Sequence, residues 1–494
     1  MPTLKRLRAK ALTATPSTFA RRLFRLPSRA GRVVNDVHSQ LNSTRVRSVC
    51  YPDSIEAVQS IIRGARVAGT PISVAGGRHA MGGQQFGTNA VLLDLSRMNR
   101  VLRLDAERRE VEVEAGIQWP ELIHSLIEMQ RGAPQQLGII QKQTGADRLS
   151  LGGALAANIH GRGLQLKPII NDVESFVLVD ASGRALRCSR RENAELFRLA
   201  VGGYGLFGII ARVTLKLAPR RKLERVVELT DLRELTSAFE RRISDGFLFG
   251  DFQFMTSPGS DAFLRRGVFS CYRPVPDETP VTEQHRELSA DDWRQLLYLA
   301  HADRQRAFEV YSRHYLSTDR QVYWSDTHQL SVYLDDYHRE LDARLGDAGQ
   351  RGSEMITEVY VPREKLWAFM EATRADFRAR ATDLIYGTVR LIEKDDESFL
   401  AWAKEAYACV VFNLHVAHTR AGIEKAKEDF RLLIDRAAEQ GGSYYLTYHR
   451  WATRLQVETC YPQMREFLRL KRSYDPSGIF QSDWYRHQRA QFSG

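Results

Sequence analysis

The chain has 494 residues but only five cysteines, and these are scattered along it. They are Cys50, Cys188, Cys271, Cys409 and Cys460, so no two lie close together in sequence. A disulfide framework or a structural zinc site needs cysteines at short, regular spacings, and neither is supported here. We therefore expect no bound metal and a reducing compartment, which favours the cytoplasm.

Long apolar runs are equally scarce. No stretch of 18 consecutive apolar residues occurs, so the sequence predicts no transmembrane helix. The N-terminal segment also lacks the short apolar core of a secretory signal peptide. Any contact with a membrane is therefore expected to be peripheral.

Acidic residues are missing from positions 1–35, which contain nine Lys or Arg. Removing these nine charges from the formal net charge of +11 leaves +2 for the other 459 residues. Such a nearly neutral body argues against nucleic acid binding, which needs a basic face on the fold itself. We interpret residues 1–40 as a basic leader. Three roles stay open for it: a disordered leader, an amphipathic segment that contacts anionic membranes through residues 1–35, and an organelle-targeting peptide.

Hydrophobic periodicity predicts a mixed α and β chain in three further parts. For residues 41–221 we predict helices that begin at Ser54 and run over 119–129 and 194–199, a hairpin over 101–115, and strands over 72–75, 91–95, 173–179, 185–188 and 209–217. For residues 222–455 we predict long charged helices over 289–308 and 423–440, with β-like runs over 408–417 and 444–451. Residues 456–494 predict a helix over 463–472 and a turn at 475–478.

Three glycine-rich loops carry the strongest functional signal. They are residues 76–83 (GGRHAMGG), 151–161 (LGGALAANIHG) and 202–208 (GGYGLFG). Without a side chain, glycine lets backbone N–H groups approach a pyrophosphate closely. One such loop is more often a simple tight turn, but three within 135 residues favour a dinucleotide site.

The third loop contains the spacing Gly203-x-Gly205-x-x-Gly208, which also occurs in Rossmann folds. A Rossmann fingerprint follows a strand and opens a helix. Here a helix is predicted before the loop and a strand after it, so the order is reversed and the Rossmann interpretation is rejected.

Residues 45–220 resemble the FAD-binding domain of the vanillyl-alcohol-oxidase/p-cresol-methylhydroxylase (PCMH) family. The resemblance rests on the order and spacing of Pro52-x-Ser54-x-Glu56-Ala57-Val58, Gly76-Gly77-Arg78-His79, Val113-x-Ala115-Gly116, Gly152-Gly153, Asn158-x-His160-Gly161, the segment 202–210, and the C-terminal segment 475–480 (DPSGIF). It implies an α+β fold: a PCMH-type FAD-binding domain of two α/β subdomains over 41–221, a substrate (cap) domain over 222–455, and a segment over 456–494 that returns to the flavin.

The resemblance implies FAD as cofactor and suggests the residues that hold it. His79 matches a histidine that carries an 8α-histidyl bond to the flavin in the aldonolactone and alditol oxidase branch, although Ala80 replaces the serine usual there. The other implied cofactor-binding residues are Gly76, Gly77, Arg78, Gly82, Gly83, Gly152, Gly153, Asn158, Gly161, Gly208 and Ile210. His160 is open to two interpretations, a donor to the flavin or a turn histidine with its bonds satisfied.

Four residues are candidates for the chemistry. A reduced flavin carries negative charge, which a cation favours. Arg390 matches a position that is basic in both branches that the chain resembles, the aldonolactone and alditol oxidases and the decaprenylphosphoryl-ribose oxidases. Lactone oxidases have Glu-x-Arg there, whereas Thr388 replaces the glutamate here. The base that accepts the hydroxyl proton is expected among His415, Tyr448 and His449, and Tyr448 stands where the decaprenylphosphoryl-ribose oxidase branch has a lysine.

Together these features predict an FAD-dependent oxidoreductase. It would oxidise a CH–OH group of a sugar, polyol, lactone or glycolipid-like alcohol by hydride transfer to flavin N5, with oxygen or another acceptor taking the electrons. The alternative is FAD-dependent chemistry on a carbon–carbon double bond of a lipid, as in sterol reductases, with peripheral attachment to a membrane. A non-catalytic basic binding protein is a third interpretation, which the neutral body disfavours.

Overall fold

The computed structural model describes residues 31–145, 147–282, 285–328, 334, 337–346 and 351–493. Most of the predicted leader lies outside these residues. Residues 31–40 belong to the folded body, contrary to the predicted leader boundary, because Arg32–Val34 forms a strand that pairs with Thr44–Val46. Within the described ranges, no helix is long and apolar enough to cross a membrane.

The first half of the chain alternates short strands and helices. Its strands are β1 (Arg32–Val34), β2 (Thr44–Val46), β3 (Ser48–Cys50), β4 (Ile72–Ala75), β5 (Val91–Asp94), β6 (Val101–Asp105), β7 (Glu110–Glu114), β8 (Leu137–Ile139), β9 (Val173–Val179), β10 (Ala185–Ser189) and β11 (Ile209–Pro219). Its helices are α1 (Ile55–Val67), α2 (Trp119–Met129), α3 (Leu151–Ala157) and α4 (Ala194–Ala200), with 3-10 turns at Leu95–Arg97 and Ile169–Asp172.

These elements form two α/β layers. Strands β3, β5 and β4 make a small parallel sheet, and β10, β9, β11, β7 and β6 make a larger antiparallel one, with β8 also paired to β11. Helix α1 illustrates why the sequence folds this way. Ser54 caps its first turn, and Val58, Ile61 and Ile62 lie on one buried face at helical spacing.

The second half is built on one large sheet. Its strands are β12 (Lys222–Asp231), β13 (Phe249–Phe254), β14 (Arg266–Pro274), β15 (Val322–Trp324), β16 (Gly352–Pro362), β17 (Leu384–Ile392), β18 (Tyr407–Ala417) and β19 (Ser443–Tyr444), in the order β15-β12-β14-β13-β17-β18-β16-β19. Its helices are α5 (Leu232–Ser244), α6 (Ala290–Ala302), α7 (Arg304–Ser317), α8 (His338–Leu345), α9 (Leu366–Arg380) and α10 (Arg420–Glu439), with a 3-10 turn at Arg363–Lys365.

Helices cover both faces of this sheet. Phe269 of β14 packs against Phe239 of α5, whereas its neighbour Val268 packs in a cluster with Tyr315 of α7. Because successive residues of a strand point to opposite faces, α5 and α7 lie on opposite sides. Phe412 of β18 likewise meets α9, so the odd-numbered residues of β18 face the side that holds α6 and α7.

The C-terminal part returns to the first half. It consists of α11 (Arg454–Cys460), α12 (Met464–Tyr474) and α13 (Asp483–Gln491). Between α12 and α13, Phe480 pairs in parallel with Ile72, the first residue of β4. The Ile72 N–H donates to Ile479 O at 2.7 Å, and the Gln481 N–H donates to Ile72 O at 2.8 Å. This segment therefore completes the small sheet from which the first glycine loop emerges.

Two sequence-based predictions for the second half are wrong in detail. The helix predicted over 289–308 is two helices, because Asp303 interrupts it and its side chain caps α7 at Arg306 N. The strand predicted over 444–451 stops after Tyr444. Tyr448 and His449 therefore do not lie on a strand. The α+β architecture itself is confirmed.

Candidate active site

A cavity of about 490 Å³ lies between the glycine loops of the first half and the large sheet of the second. Its lining falls into three groups. The loops around residues 76–79, 150–153 and 204–208 form one wall. One face of the sheet forms the second wall, and helices α6 and α7 form the third.

Close packing explains the glycines of the first wall. A Cβ built on Gly76 would lie 1.8 Å from Ser150 Oγ, and one on Gly152 would lie 2.9 Å from the Ala115 Cβ. The first two loops thus press against each other and against the end of β7, which leaves no room for side chains. The third loop needs glycine for another reason, since Gly205 has φ +72°.

His79 lies in this wall and has a second histidine beside it. His79 Nδ1 is 2.8 Å from His38 Nε2, and His79 Nε2 is 3.0 Å from Arg148 O. Burial and the neighbouring His38 lower the pKa of His79 to about 3, so its imidazole is neutral at physiological pH. The adjacent Arg78, in contrast, pairs with Asp94 at 2.6 Å.

The sheet presents a row of side chains to the cavity. Residues directly opposite each other on antiparallel strands share a face. Glu358 of β16 lies opposite Val411 of β18, which lies opposite Thr388 of β17, and Thr388 lies opposite Gln253 of β13. Arg390 stands two residues after Thr388 on the same face. Strands far apart in sequence thus bring an acid, an amide and a cation together.

Glu358 is the centre of this group and is 3% exposed. Its Oε1 lies 2.7 Å from His160 Nε2 and accepts a hydrogen bond from the Tyr360 hydroxyl, while Oε2 accepts one from the Tyr448 hydroxyl at 3.3 Å. Burial by itself would raise the pKa of Glu358. His160, Tyr360 and Arg390 outweigh burial and hold that pKa below its ordinary value, so Glu358 is a carboxylate at neutral pH.

Tyr448 has the opposite protonation. Burial, with the Glu358 carboxylate nearby, raises the pKa of Tyr448 well above its usual value. Its hydroxyl therefore keeps its proton and donates to Glu358. Of this pair, Glu358 is the group able to accept a proton.

Several polar atoms along the cavity are buried without a hydrogen-bond partner among the described residues. They include Arg390 Nε, Asn413 Oδ1 and both amide atoms of Gln253. Buried polar groups nearly always have partners in folded proteins, and leaving one unsatisfied costs about 1–3 kcal/mol. A group of them lining one cavity indicates that a polar ligand completes the site.

The third wall is mainly apolar. It consists of Trp293, Leu296, Leu297 and Ala300 from α6, with Ala307, Phe308 and Tyr311 from α7. A ligand with one end at Glu358 and Arg390 therefore has an apolar surface available for another part of its body.

The structure places most of the predicted site residues at the cavity. The predicted residues that line it are Gly76, Gly77, Arg78, His79, Gly152, Gly153, His160, Gly208, Ile210, Arg390 and Tyr448. Between the two interpretations of His160, the geometry puts its Nε2 on Glu358 and its Nδ1 2.9 Å from Gly161 O.

Four predicted cofactor residues do not line the cavity and have structural contacts instead. Asn158 ends α3 in the left-handed conformation, and its amide donates to Asp395 at 2.8 Å. Gly161 packs on the backbone of residue 142. Gly82 N donates to the Gln84 side chain, and Gly83 makes a left-handed turn.

Two of the predicted bases also lie away from the cavity. His449 is buried and stacks on Phe430, with ring centres 4.7 Å apart, and burial lowers its pKa to about 3. His415 faces Glu354, and its Nδ1 lies 3.4 Å from Glu354 Oε1. His449 does not reach the cavity because the strand predicted over 444–451 ends at Tyr444 and the chain turns after it.

Glu358 is the main residue that sequence reasoning missed. The segment 352–362 (GSEMITEVYVP) is rich in β-branched and aromatic residues, so a strand could have been predicted there, although its pattern does not show which way Glu358 points. Its partner His160 is 198 residues away in sequence, so no local pattern connects the two.

With this geometry established, comparison with known proteins identifies the first half. Residues 46–189 match a protein family described as an FAD binding domain. The chain therefore carries a PCMH-type FAD-binding domain.

The chain is similar to L-gulonolactone oxidase of Bos taurus, with 29% identity over 210 residues that cover 42% of this chain and 45% of that protein. It is also similar to decaprenylphosphoryl-beta-D-ribose oxidase of Mycolicibacterium smegmatis, with 24% identity over 455 residues that cover 89% of this chain and 94% of that protein.

A solved structure, that of a solvent-stable cholesterol oxidase, shares the fold with a TM-score of 0.71 at 17% identity. The match covers 94% of this chain and 99% of the cholesterol oxidase chain. The PCMH-type FAD-binding domain and its α+β partner are thereby confirmed, and the protein is an FAD-dependent oxidoreductase.

The residues of the cavity fit FAD. The packed glycine loops offer backbone without side chains, which suits a pyrophosphate, and the unpartnered polar atoms of the sheet lie at the other wall. The dinucleotide part of FAD would be held by Gly76, Gly77, Gly152 and Gly153. Arg390 would lie toward the flavin ring.

Proposed function

We propose that the protein oxidises a CH–OH group of an alcohol to a carbonyl with FAD bound in this cavity. The observation that carries the proposal is the buried Glu358 carboxylate, which lies on the cavity beside His160, Tyr448 and Arg390. Oxidation of an alcohol removes a hydride from carbon and a proton from oxygen. Bound FAD supplies the hydride acceptor.

Glu358 accepts the hydroxyl proton. Because its carboxylate is ionised and already holds hydrogen bonds from Tyr360 and Tyr448, it is fixed in orientation before the substrate enters. His160 Nε2, next to Glu358 Oε1, stabilises the charge of the buried carboxylate. A general base positioned in this way contributes about 10²–10⁴-fold to rate.

Arg390 and Gln253 stabilise the polar atoms of the flavin and the substrate. The Arg390 guanidinium is 9% exposed and provides positive charge where negative charge collects after the transfer. The Gln253 amide, with neither its donor nor its acceptor satisfied in the described part of the chain, is available for a substrate hydroxyl or the flavin edge.

The walls of the cavity and the relatives support a class of substrate. The two similar enzymes are named for a gulonolactone and for a ribose on a decaprenyl phosphate. The apolar wall of Trp293, Leu296 and Phe308 favours an alcohol with an apolar portion over a small free polyol. A glycolipid-like alcohol or a lactone therefore suits the cavity best. The same wall keeps a lipid with a carbon–carbon double bond as the second candidate.

Anaerobic reduction of the flavin tests the proposal. Purified holoenzyme is mixed with a panel of aldonolactones, alditols, sterols and glycosyl lipids, and absorbance near 450 nm is followed. We expect bleaching by at least one alcohol and much slower bleaching of a Glu358→Gln variant. Absence of bleaching by all alcohols, with oxidation of an external donor by an unsaturated lipid instead, would favour the second candidate.

Covalent attachment of the flavin through His79 is part of the proposal. The neutral imidazole on the cavity wall, with His38 at Nδ1, supports it. Acid precipitation separates bound from released flavin: we expect yellow colour in the pellet for the unaltered chain and in the supernatant for His79→Ala. Colour in the supernatant for both would remove the covalent bond and leave the rest of the proposal intact.

A further inference from the structure

A second cluster of titratable side chains lies around Glu354, next to the proposed active site. Two of its members, Tyr337 and His338, line the cavity, whereas Glu354, His301 and His415 do not. Glu354 Oε1 lies 3.1 Å from His301 Nε2 and 3.4 Å from His415 Nδ1, and Glu354 Oε2 lies 3.2 Å from His338 Nδ1. The Tyr337 hydroxyl donates to the same Oε2. Three imidazoles from separate elements thus converge on one carboxylate, and alcohol oxidation as proposed above uses none of them.

The cluster is enclosed and rigidly built. Side-chain exposure is 5% for His301, 4% for Glu354, 8% for His338 and 20% for His415. Glu354 and His415 face each other on paired strands, β16 and β18, while His301 comes from the last turn of α6. A Cβ on Gly352 would lie 2.3 Å from His415 Cε1, so the glycine makes room for the ring.

The ligand atoms have a spacing that suits a metal ion. One nitrogen of His301, one of His415 and one oxygen of Glu354 all lie within 4.8 Å of one another. His301 Nε2 is close to the carboxylate but is not directed at it as a hydrogen bond, and it has no other hydrogen-bond partner in the described residues. A cation placed between the three atoms would use that nitrogen, which a purely hydrogen-bonded cluster leaves unsatisfied.

We propose that His301, Glu354 and His415 bind a divalent transition-metal cation of the Zn²⁺ class. Two imidazoles and one carboxylate are a donor set that Zn²⁺ accepts, with a fourth position left for water. His338 and Tyr337 hold the other carboxylate oxygen and orient it, as outer-shell partners of metal ligands commonly do.

The location suggests what the metal does. His301 follows Trp293, Leu296 and Ala300 on α6, and these three residues form the apolar wall of the cavity. A cation shared by α6 and the two sheet strands would fasten that wall to the sheet. Binding to the folded state alone would also raise thermal stability, by an amount that grows with the metal concentration.

Titration of the chelator-treated holoenzyme with ZnCl₂ tests the proposal by calorimetry and by thermal melting. We expect one Zn²⁺ per chain and a higher Tm. The double variant His301→Ala/His415→Ala should bind at least tenfold more weakly, while His314→Ala, a histidine of α7 outside the cluster, should bind as the unaltered chain does. No stoichiometric binding, or equal binding by the double variant, would overturn the proposal.

A measurement on the unaltered chain guards against a variant that misfolds. X-ray absorption at the zinc edge should show imidazole scattering and N/O ligands at about 2.0–2.1 Å. A sulfur neighbour at about 2.3 Å would instead place the metal at His160, Glu358 and Cys409, whose ligand atoms also lie within 4.8 Å of one another, and would overturn the assignment. Neither readout depends on turnover, so failure of the proposed alcohol oxidation leaves this test unaffected.

Discussion

Glu354 and Glu358 are the same residue type on the same face of one strand, β16, yet their surroundings differ. They are four positions apart, which is about 13 Å along the strand. Glu358 opens on the cavity and has one imidazole, two tyrosine hydroxyls and the Arg390 charge around it. Glu354 has three imidazoles and one tyrosine hydroxyl.

The difference shows that burial and ionisation do not by themselves define an active site. In both places the partners outweigh burial and hold the pKa of the glutamate below its ordinary value. Only Glu358 combines this with neighbouring polar atoms left unpartnered on the cavity surface, at Arg390 and Gln253. Access to a ligand, rather than protonation, separates a candidate base from a candidate metal ligand.

Replacing Glu358 is expected to have the largest effect. In Glu358→Gln the amide cannot accept the hydroxyl proton, so flavin reduction by an active alcohol should slow by about 10³-fold. Stopped-flow absorbance measures this rate. Asp429→Asn is a matched control, since Asp429 is also buried and ion-paired, with Arg380, but lies in α10 away from the cavity. Equal slowing in Glu354→Gln would contradict the comparison between the two glutamates.

The charge of Arg390 should matter next. In Arg390→Met we expect flavin reduction to slow by about 10²-fold, because one preorganised positive group is removed from the place where negative charge develops. The midpoint potential of the flavin should fall in the same variant, which a redox titration with a reference dye records. Arg390→Lys restores a charge but not the planar guanidinium, so partial recovery is expected. An unchanged potential in Arg390→Met would show that the guanidinium does not act on the flavin.

A histidine that serves neither glutamate provides a stability reference. Burial lowers the pKa of His449 to about 3, so the unfolded chain binds a proton there more readily than the folded one. The contribution of a neutral His449 to stability is therefore full above about pH 6.5 and is lost as the pH falls toward 3. By pH 5 the folded state has lost about 2 kcal/mol of stability through this residue.

His449→Phe, which keeps a ring against Phe430, should remove this part of the acid sensitivity. Urea unfolding of both chains at pH 7 and pH 5 measures the difference. If the variant loses as much stability between these pH values as the unaltered chain, the titration of His449 is not responsible.

The Tyr448 hydroxyl should have the smallest effect. Its hydrogen bond to Glu358 is long, at 3.3 Å, so Tyr448→Phe is expected to cost about 1 kcal/mol, or roughly fivefold in the rate of flavin reduction. The pH profile of that rate should move as well, because the carboxylate loses a donor and the pKa of Glu358 rises. A loss as large as that of Glu358→Gln would instead make Tyr448 the base.

Local sequence pattern predicted the first half of the fold well. The helix over 119–129 and the strand over 173–179 are confirmed with their predicted bounds, because each depends on its own periodicity. The 289–308 helix was predicted as one because its composition is uniform, whereas a single capping aspartate, Asp303, breaks it.

The site was predictable only where its residues belong to short motifs that are contiguous in sequence. The glycine loops are short motifs with a steric cause, so sequence found them. Glu358 gains its role from His160, Arg390 and Gln253, which lie on three other segments and meet through sheet register. Strand pairing over such distances leaves no trace in one sequence, so the sequence indicates His415, Tyr448 and His449 as candidate bases and gives no signal for Glu358.

The return of the C-terminal segment to β4 also determines when the small sheet can be completed during synthesis. Thr88, near the first glycine loop, bonds to Asp483, which is 395 residues later in the chain. Ile72 likewise pairs with Ile479 and Gln481, which are synthesised only after the large sheet of the second half. The cofactor domain begins first and is completed last, so a growing chain exposes an unfinished sheet edge during most of its translation.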